Sequence, residues 1–483
     1  MLKSFQLAIL SVIIILSSGG NKTYANESGD EFRFDFKGQQ ISSEIILSKY
    51  LQIESVSGNE KEAGEFLKNL CIENGLHITQ MGNENGNYNF AASIKPLGES
   101  LPNIVFLNHI DVVPPGDTAK WTYPPFSGEI TDMEIWGRGA FDNKGAAVMQ
   151  LASVVEIGRK YKNAAIPYNV TFLAVSCEET QCDGGVAYVV DNYLDELKPA
   201  VVIGEGPPAL TGVLSSDPEA MIFGISVAHK RPLWIKLEVE IETSGHGSVT
   251  PLEYANKEMV EALSRLTSIN RKAKYNKLNV SLLRQLGDME RGLISFVLKH
   301  PVIFKPLLVP QLRKQPEMFS LFTNTVTLTS IDSHNDVINL IPNKVTALLD
   351  CRLLPTESKN AFLDELKRTL QSDLIEISVL KEMPEMKPSD KSSAFYQNLE
   401  KAIMENYPDS YVAGMLVPNF NDTGIFRSEG IPALSSIPVI MDMKYLEYVH
   451  NYNERIPRGI LQQGKVVYCD FVEKCINSDK SSK

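Results

Sequence analysis

Two histidines and five carboxylates stand where oxygen and nitrogen donors could gather around a divalent cation. His109 and Asp111 are two apart in Asn108-His109-Ile110-Asp111, so a strand running through them puts both side chains on one face. A carboxylate behind an imidazole fixes its tautomer and raises its basicity as a ligand. Asp142 lies in Trp136-Gly137-Arg138-Gly139-Ala140-Phe141-Asp142-Asn143-Lys144-Gly145, where glycines let a loop turn tightly and present the carboxylate at the start of a helix. The same aspartate also reads as a helix cap accepting backbone N–H bonds. Glu178 and Glu179 are adjacent. Such a pair repels and ordinarily sits in solvent, but beside a dication one carboxylate can ligate while the other takes a proton from bound water. Glu205, between Gly204 and Gly206, is a third acid, and His450 in Tyr448-Val449-His450-Asn451-Tyr452 is the last donor. A lone histidine is as readily a structural residue.

The elements that must position these groups follow from the apolar pattern. Short apolar runs at Asn103 to Leu107, Tyr168 to Val175 and Ala200 to Ile203 predict strands, each followed at once by polar or acidic residues. Val148, Leu151, Ala152 and Val155 recur at helical spacing between the first two. The alternation predicts an α/β fold with a largely parallel sheet flanked by helices, whose ligands gather beyond the carboxyl ends of the strands. Near residue 217 the texture changes. Leu233 to Ile241 alternates like a half-exposed strand, Glu253 to Ser268 reads as a helix, and Thr325 to Thr329 and Thr346 to Leu349 read as strands of a smaller inserted α+β domain. Residues 270–320, basic and apolar with several prolines, read as an extra helical excursion within that insert.

The ordered set His109, Asp142, Glu179, Glu205 and His450 resembles that of the cocatalytic-zinc family of aminoacylases, glutamate carboxypeptidase, acetylornithine deacetylase and carboxypeptidase S. The likeness spans nearly all of the mature chain and is greatest to the carboxypeptidase S branch, through Tyr123-Pro124-Pro125-Phe126-Ser127-Gly128 leading into Ile135-Trp136-Gly137-Arg138-Gly139. It implies a zinc-exopeptidase-like catalytic domain over residues 27–216 and 386–483 and a lid or dimerisation domain over 217–385. It further implies His109, Glu205 and His450 as terminal ligands of two zinc ions, Asp142 as the bridging carboxylate and Glu179 as a further ligand. Glu178 resembles the general base and Asp111 the residue orienting His109. Ser244-Gly245-His246-Gly247-Ser248 resembles the lid motif whose imidazole crosses a homodimer to hold a developing oxyanion; between glycines, His246 also reads as a turn residue. Asn339 in Ile338-Asn339-Leu340 and Arg352 in Asp350-Cys351-Arg352 match lid motifs for substrate, Arg352 as the fork for a carboxylate or, otherwise, as half of a structural ion pair. Three stretches depart from the family pattern: Asn143 replaces an acid, Ala228-His229-Lys230-Arg231-Pro232 replaces a Glu-Lys-Gly type motif, and Phe420-Asn421-Asp422-Thr423 replaces a Gly-Thr-Asp type motif.

Composition agrees with such an enzyme and excludes other classes. The 483 residues carry 47 basic and 59 acidic side chains, a net charge of −12, which disfavours nucleic acid as a partner. Lys3, the apolar run Leu7 to Leu16 and small residues up to Ala25 read as an export signal over residues 1–25, too short for a spanning helix, so a periplasmic or secreted protein without a stable membrane anchor is expected. In an oxidising compartment Cys177 with Cys182, and Cys469 with Cys475, are each close enough in sequence to bridge, while Cys71 falls on a core-packing stripe. The expected reaction is hydrolysis of small peptides with a free C-terminal carboxylate by a two-zinc carboxypeptidase, with Co2+ or Mn2+ as substitutes. N-acyl amino acid hydrolysis and metal-free peptide binding are the rivals.

Overall fold

The computed structural model describes residues 31–82, 87–333 and 335–480. The expected export signal over residues 1–25 lies outside them. At the centre of the fold the strands Asn103–His109, Asn169–Val175 and Pro199–Gly204 run parallel, and every residue of the first two is buried. Both faces are covered, which is why these strands read as continuous rather than alternating apolar runs. They sit in a nine-stranded sheet that is mixed. Parallel pairs form its middle, and antiparallel partners are added by Phe90–Ser93 and His77–Gln80 on one side and by Ile222–His229 against Ala433–Ser435 on the other.

The helix Lys144–Lys160 packs between this sheet and the long C-terminal helix Ile460–Lys480. Its predicted stripe of Val148, Leu151, Ala152 and Val155 is buried, and so are Gln150 and Ser153, because the C-terminal helix closes its other side. The smaller domain is a four-stranded antiparallel sheet in the order Thr325–Asp332, Lys344–Leu353, Arg231–Glu240, Ile375–Glu382. The helices Ala255–Ser268 and Lys359–Leu370 cover one face, and the strict alternation of Lys344–Leu353 marks the face they bury.

Two expectations need correction. The sequence pattern places the start of the lid near residue 217, yet Ile222–His229 is a strand of the central sheet; the chain leaves that sheet at Lys230. Residues 270–320 are helical, as expected, but they do not lie within the lid core. Leu282, Leu283, Val297 and Leu308 share a cluster with Ile222, Ala413 and Leu416, so the excursion packs on the outer edge of the catalytic sheet. Sequence patterning shows that a segment is amphipathic; it does not say which of two domains its apolar face meets.

Candidate metal centre

His109 is the last residue of its strand, Glu178 and Glu179 form the turn after Asn169–Val175, and Glu205 follows Pro199–Gly204 directly. These strands are parallel neighbours, so their carboxyl ends meet on one edge of the sheet. Asp142 comes to the same edge from the turn before Lys144–Lys160, where Gly139 has φ +86° and a side chain would press on Val112. His450 arrives from the loop after Met443–Tyr448. It and Cys177, next to Glu178, are non-glycine residues held at φ 58° and 53°, a conformation tolerated mainly where the surroundings enforce it.

Asp142 divides its two oxygens. Oδ1 lies 3.1 Å from Nε2 of His109, and Oδ2 lies 3.2 Å from Nε2 of His450. Glu205 is 3.3 Å from the first imidazole and Glu179 is 3.1 Å from the second. Two donor sets result, His109 with Glu205 and His450 with Glu179, sharing one carboxylate. Donors bound tetrahedrally to one zinc at about 2.0–2.2 Å are roughly 3.3 Å from each other, so this spacing fits an ion in each set. Glu178 reaches within 4.8 Å of the His109 and Glu205 donor atoms.

The charge balance also calls for cations. Asp111, Asp142, Glu178, Glu179, Glu205 and Asp422 converge on two imidazoles, and among the described residues no lysine or arginine forms an ion pair with any of the six. Burial pushes the Glu178, Glu205 and Asp422 carboxyls up, with neighbouring acids adding to the effect. Burial works against charge on His109, but Glu205, Asp111 and Asp142 outweigh it and hold the ring protonated well above its ordinary range; His450 is pushed up to about 10 by Asp142 and Glu179. Those two protons are the only positive charge the centre's own side chains can supply, and binding of dications would release them. One oxygen of Glu179 and one of Asp422 are buried without a hydrogen-bond partner, which again suits a cationic guest.

A further layer of contacts holds the donors. Nδ1 of His109 meets the Asp111 carbonyl oxygen at 2.9 Å and the Asp111 carboxylate at 3.4 Å. That carboxylate accepts from the backbone N–H groups of Glu178 and Glu179 and from Ser57 Oγ, so Asp111 orients the glutamate turn as well as His109. A Cys177–Cys182 disulfide closes the turn, as the first cysteine pair suggested. The second suggestion is corrected: Cys469 and Cys475 are free, buried thiols on the C-terminal helix, where core packing accounts for both. Cys71 is buried in the core as expected. Asn143 donates to the Glu205 carboxylate at 3.0 Å, so the residue that departs from the family pattern tethers a donor.

These features carry a lineage. Residues 105–474 match the model of peptidase family M20/M25/M40. The chain belongs to this family. Among relatives, the probable carboxypeptidase S-like 2 of Dictyostelium discoideum is 29% identical over 376 residues, covering 77% of this chain and 71% of that protein. The N-fatty-acyl-amino acid synthase/hydrolase PM20D1 of Bos taurus is 26% identical over 484 residues, covering 94% and 92%. The M20 family metallo-carboxypeptidase Sso-CP2 from Sulfolobus solfataricus shares the fold with a TM-score of 0.66 at 20% identity, covering 90% of this chain and 99% of that one. The M20 chain is therefore a metal-dependent hydrolase of peptide or amide bonds, on the carboxypeptidase S branch.

The lid residues named from sequence stand apart from the M20 centre. His246 and Asn339 are exposed; His246 bridges to Leu340, and Gly247 donates to the Asn339 carbonyl oxygen. Arg352 donates from Nε and Nη2 to Asp350 at 2.8 and 2.9 Å. Within this one chain none of the three bonds to a metal-centre residue, among the described residues.

Sequence reasoning missed other parts of the site. Asn421 donates to the Glu205 carbonyl oxygen, and Asp422 lines the same cavity as His109, Glu178 and Glu205. Glu454 accepts from Arg138 Nη1 at 2.7 Å and from the N–H groups of Gly139, Phe141 and Asp142. The available signal was its position four residues after His450 and the unusual arginine between two glycines.

Proposed function

We propose that this chain is an exported, zinc-dependent carboxypeptidase that hydrolyses small peptides with a free C-terminal carboxylate. The observation that carries the reading is the pair of donor sets joined through the two oxygens of Asp142. His109, Glu205 and Asp142 would hold one ion, and His450, Glu179 and Asp142 the other. Ions bound there supply a Lewis acid for the scissile carbonyl and bring the pKa of water towards neutrality. Glu178 takes the proton of the attacking water and returns it to the leaving amine. Arg352 has three N–H donors beyond the two engaged with Asp350, enough to receive a substrate carboxylate without breaking that pair, and Asn339 lines the substrate on the lid side.

His246 acts on the substrate oxyanion in the other subunit of a homodimer. Its Nδ1 accepts from the Ser248 N–H, which leaves Nε2 as the ring nitrogen available to donate. The lid carries features of a two-fold contact: Thr325–Asp332 is the edge strand of its sheet, paired on one side with Lys344–Leu353, and Val249, Leu252, Val337, Ile338 and Leu340 are exposed around His246 and Asn339. The Cys177–Cys182 bridge supports the exported location, since such bonds persist in oxidising compartments.

N-acyl amino acid hydrolysis is the second reading, favoured by the coverage of PM20D1. Both reactions need the same centre and differ on the acyl side of the bond. Side-by-side rates on a dipeptide panel and an N-acyl amino acid panel, with metal content measured on the same sample, separate them. Faster turnover across the acyl panel would replace the first reading with the second, and a metal-free protein inactive after zinc addition would remove both. Chelation should abolish turnover and lower Tm, with zinc restoring each. A hundredfold excess of metal over Kd is worth about 3 kcal/mol per site. An unchanged Tm after complete metal removal would show that the acids are balanced in some other way.

A further inference from the structure

The 270–320 excursion has a character unlike the rest of the chain. It holds ten lysines and arginines against three acids, a net +7 within a protein of −12. Two of the acids are engaged: Glu290 accepts from Ser215 and Ser216, and Asp288 pairs with Lys299. Lys272, Lys277, Arg284, Arg291 and Lys314 are exposed and form no ion pair among the described residues.

The same excursion shows large apolar side chains to solvent. In the helix Gly292–Lys299, Val297 is buried against the helix Lys277–Met289, whereas Leu293 and Phe296, three residues apart on one face, are 50% and 52% exposed. The turn that follows adds Val302 at 59% and Ile303 at 72%. The Phe296 ring lies 4.9 Å from that of His300 and 5.7 Å from that of Phe304, which makes the patch continuous from helix to turn. Arg291 precedes the patch along the chain, and Lys299 falls between its helix and turn parts.

We infer that this patch is a docking surface for an anionic lipid bilayer. Apolar tips on a helix of eight residues that follows Arg291 and ends at Lys299, within a segment of net positive charge, suit insertion to the depth of the headgroups; no described helix is long and apolar enough to cross a membrane. Charge complementarity selects the occupant. A second copy of the chain would bring the same cations face to face, while a neutral apolar partner would leave them unanswered. The surface is built on the edge of the catalytic sheet, on elements separate from the metal centre and from the exposed lid strand.

The test is cosedimentation of the full chain with vesicles of phosphatidylcholine alone or with roughly 30 mol% phosphatidylglycerol, at low and high salt. Binding should be at least about tenfold stronger to the anionic vesicles and should weaken with salt. Phe296→Asp with Ile303→Asp should abolish it. Arg284→Gln with Arg291→Gln, at exposed positions where folding is not at stake, should weaken it about fivefold per charge. Hydrolysis of a soluble substrate should be unchanged in both variants. Equal binding to neutral vesicles, binding that survives both variants, or concentration-dependent self-association that Phe296→Asp abolishes would overturn the proposal.

Discussion

Glu178→Gln is expected to keep the fold and the bound metal while lowering kcat by about a thousandfold, the scale typical of a lost general base. Glutamine preserves the volume and leaves the backbone N–H of residue 178 on Asp111. It removes only the capacity to carry a proton between water and leaving amine. The carboxylate is placed for that task, within 4.8 Å of the His109 and Glu205 donor atoms yet forming no ion pair with either histidine. Glu179→Gln should behave differently, because Glu179 touches His450 at 3.1 Å and its loss should lower metal occupancy first. Steady-state kinetics with metal analysis on both variants distinguishes the roles. If Glu178→Gln lost metal and Glu179→Gln kept it, the two assignments would have to be exchanged.

Glu454→Ala should be the most destabilising single change near the site, by about 3–5 kcal/mol, because it strands a buried guanidinium. Arg138 and Glu454 are both almost fully buried and 2.7 Å apart, and Arg138 Nη2 also donates to the Asn451 carbonyl oxygen. The carboxylate further collects three backbone N–H groups, including that of Asp142. It thereby ties the loop that carries Asp142 to the loop that carries His450, which brings the two ends of one donor set together. Thermal unfolding should show a large fall in Tm. Zinc titration should show a weaker site even where the fold survives. Unchanged zinc affinity in a folded Glu454→Ala protein would reduce this residue to a stabilising role only. Pairing the change with Arg138→Met should recover part of the stability, since no charge is then left buried alone.

How much of this was legible beforehand depended on where each interaction sits along the chain. The strands before His109, Glu178 and Glu205 were visible because full burial on both faces demands unbroken apolar runs, and the acids after them stood out against that background. The Cys177–Cys182 pair was readable because its partners are five residues apart. Glu454 was not, because its four bonds reach a loop more than 300 residues away, and its place four residues after His450 does not by itself name that partner. Asp422 was noted only as part of a departure from the family motif, and nothing local reveals that it reaches the cavity beside Glu205.

The amino-acid order alone determined the donor types, the alternation of strand and helix, and the family motifs, since these depend on residue chemistry and on short-range periodicity. Only the tertiary structure decided that Asp142 offers one oxygen to each histidine, that Arg352 already leans on Asp350, and that the basic excursion rests on the catalytic sheet and not in the lid. The physical reason is the same in each case. A carboxylate's partners and an amphipathic face's resting place are set by which distant surfaces close against each other, and that closure minimises the free energy of the whole fold, not of any one segment.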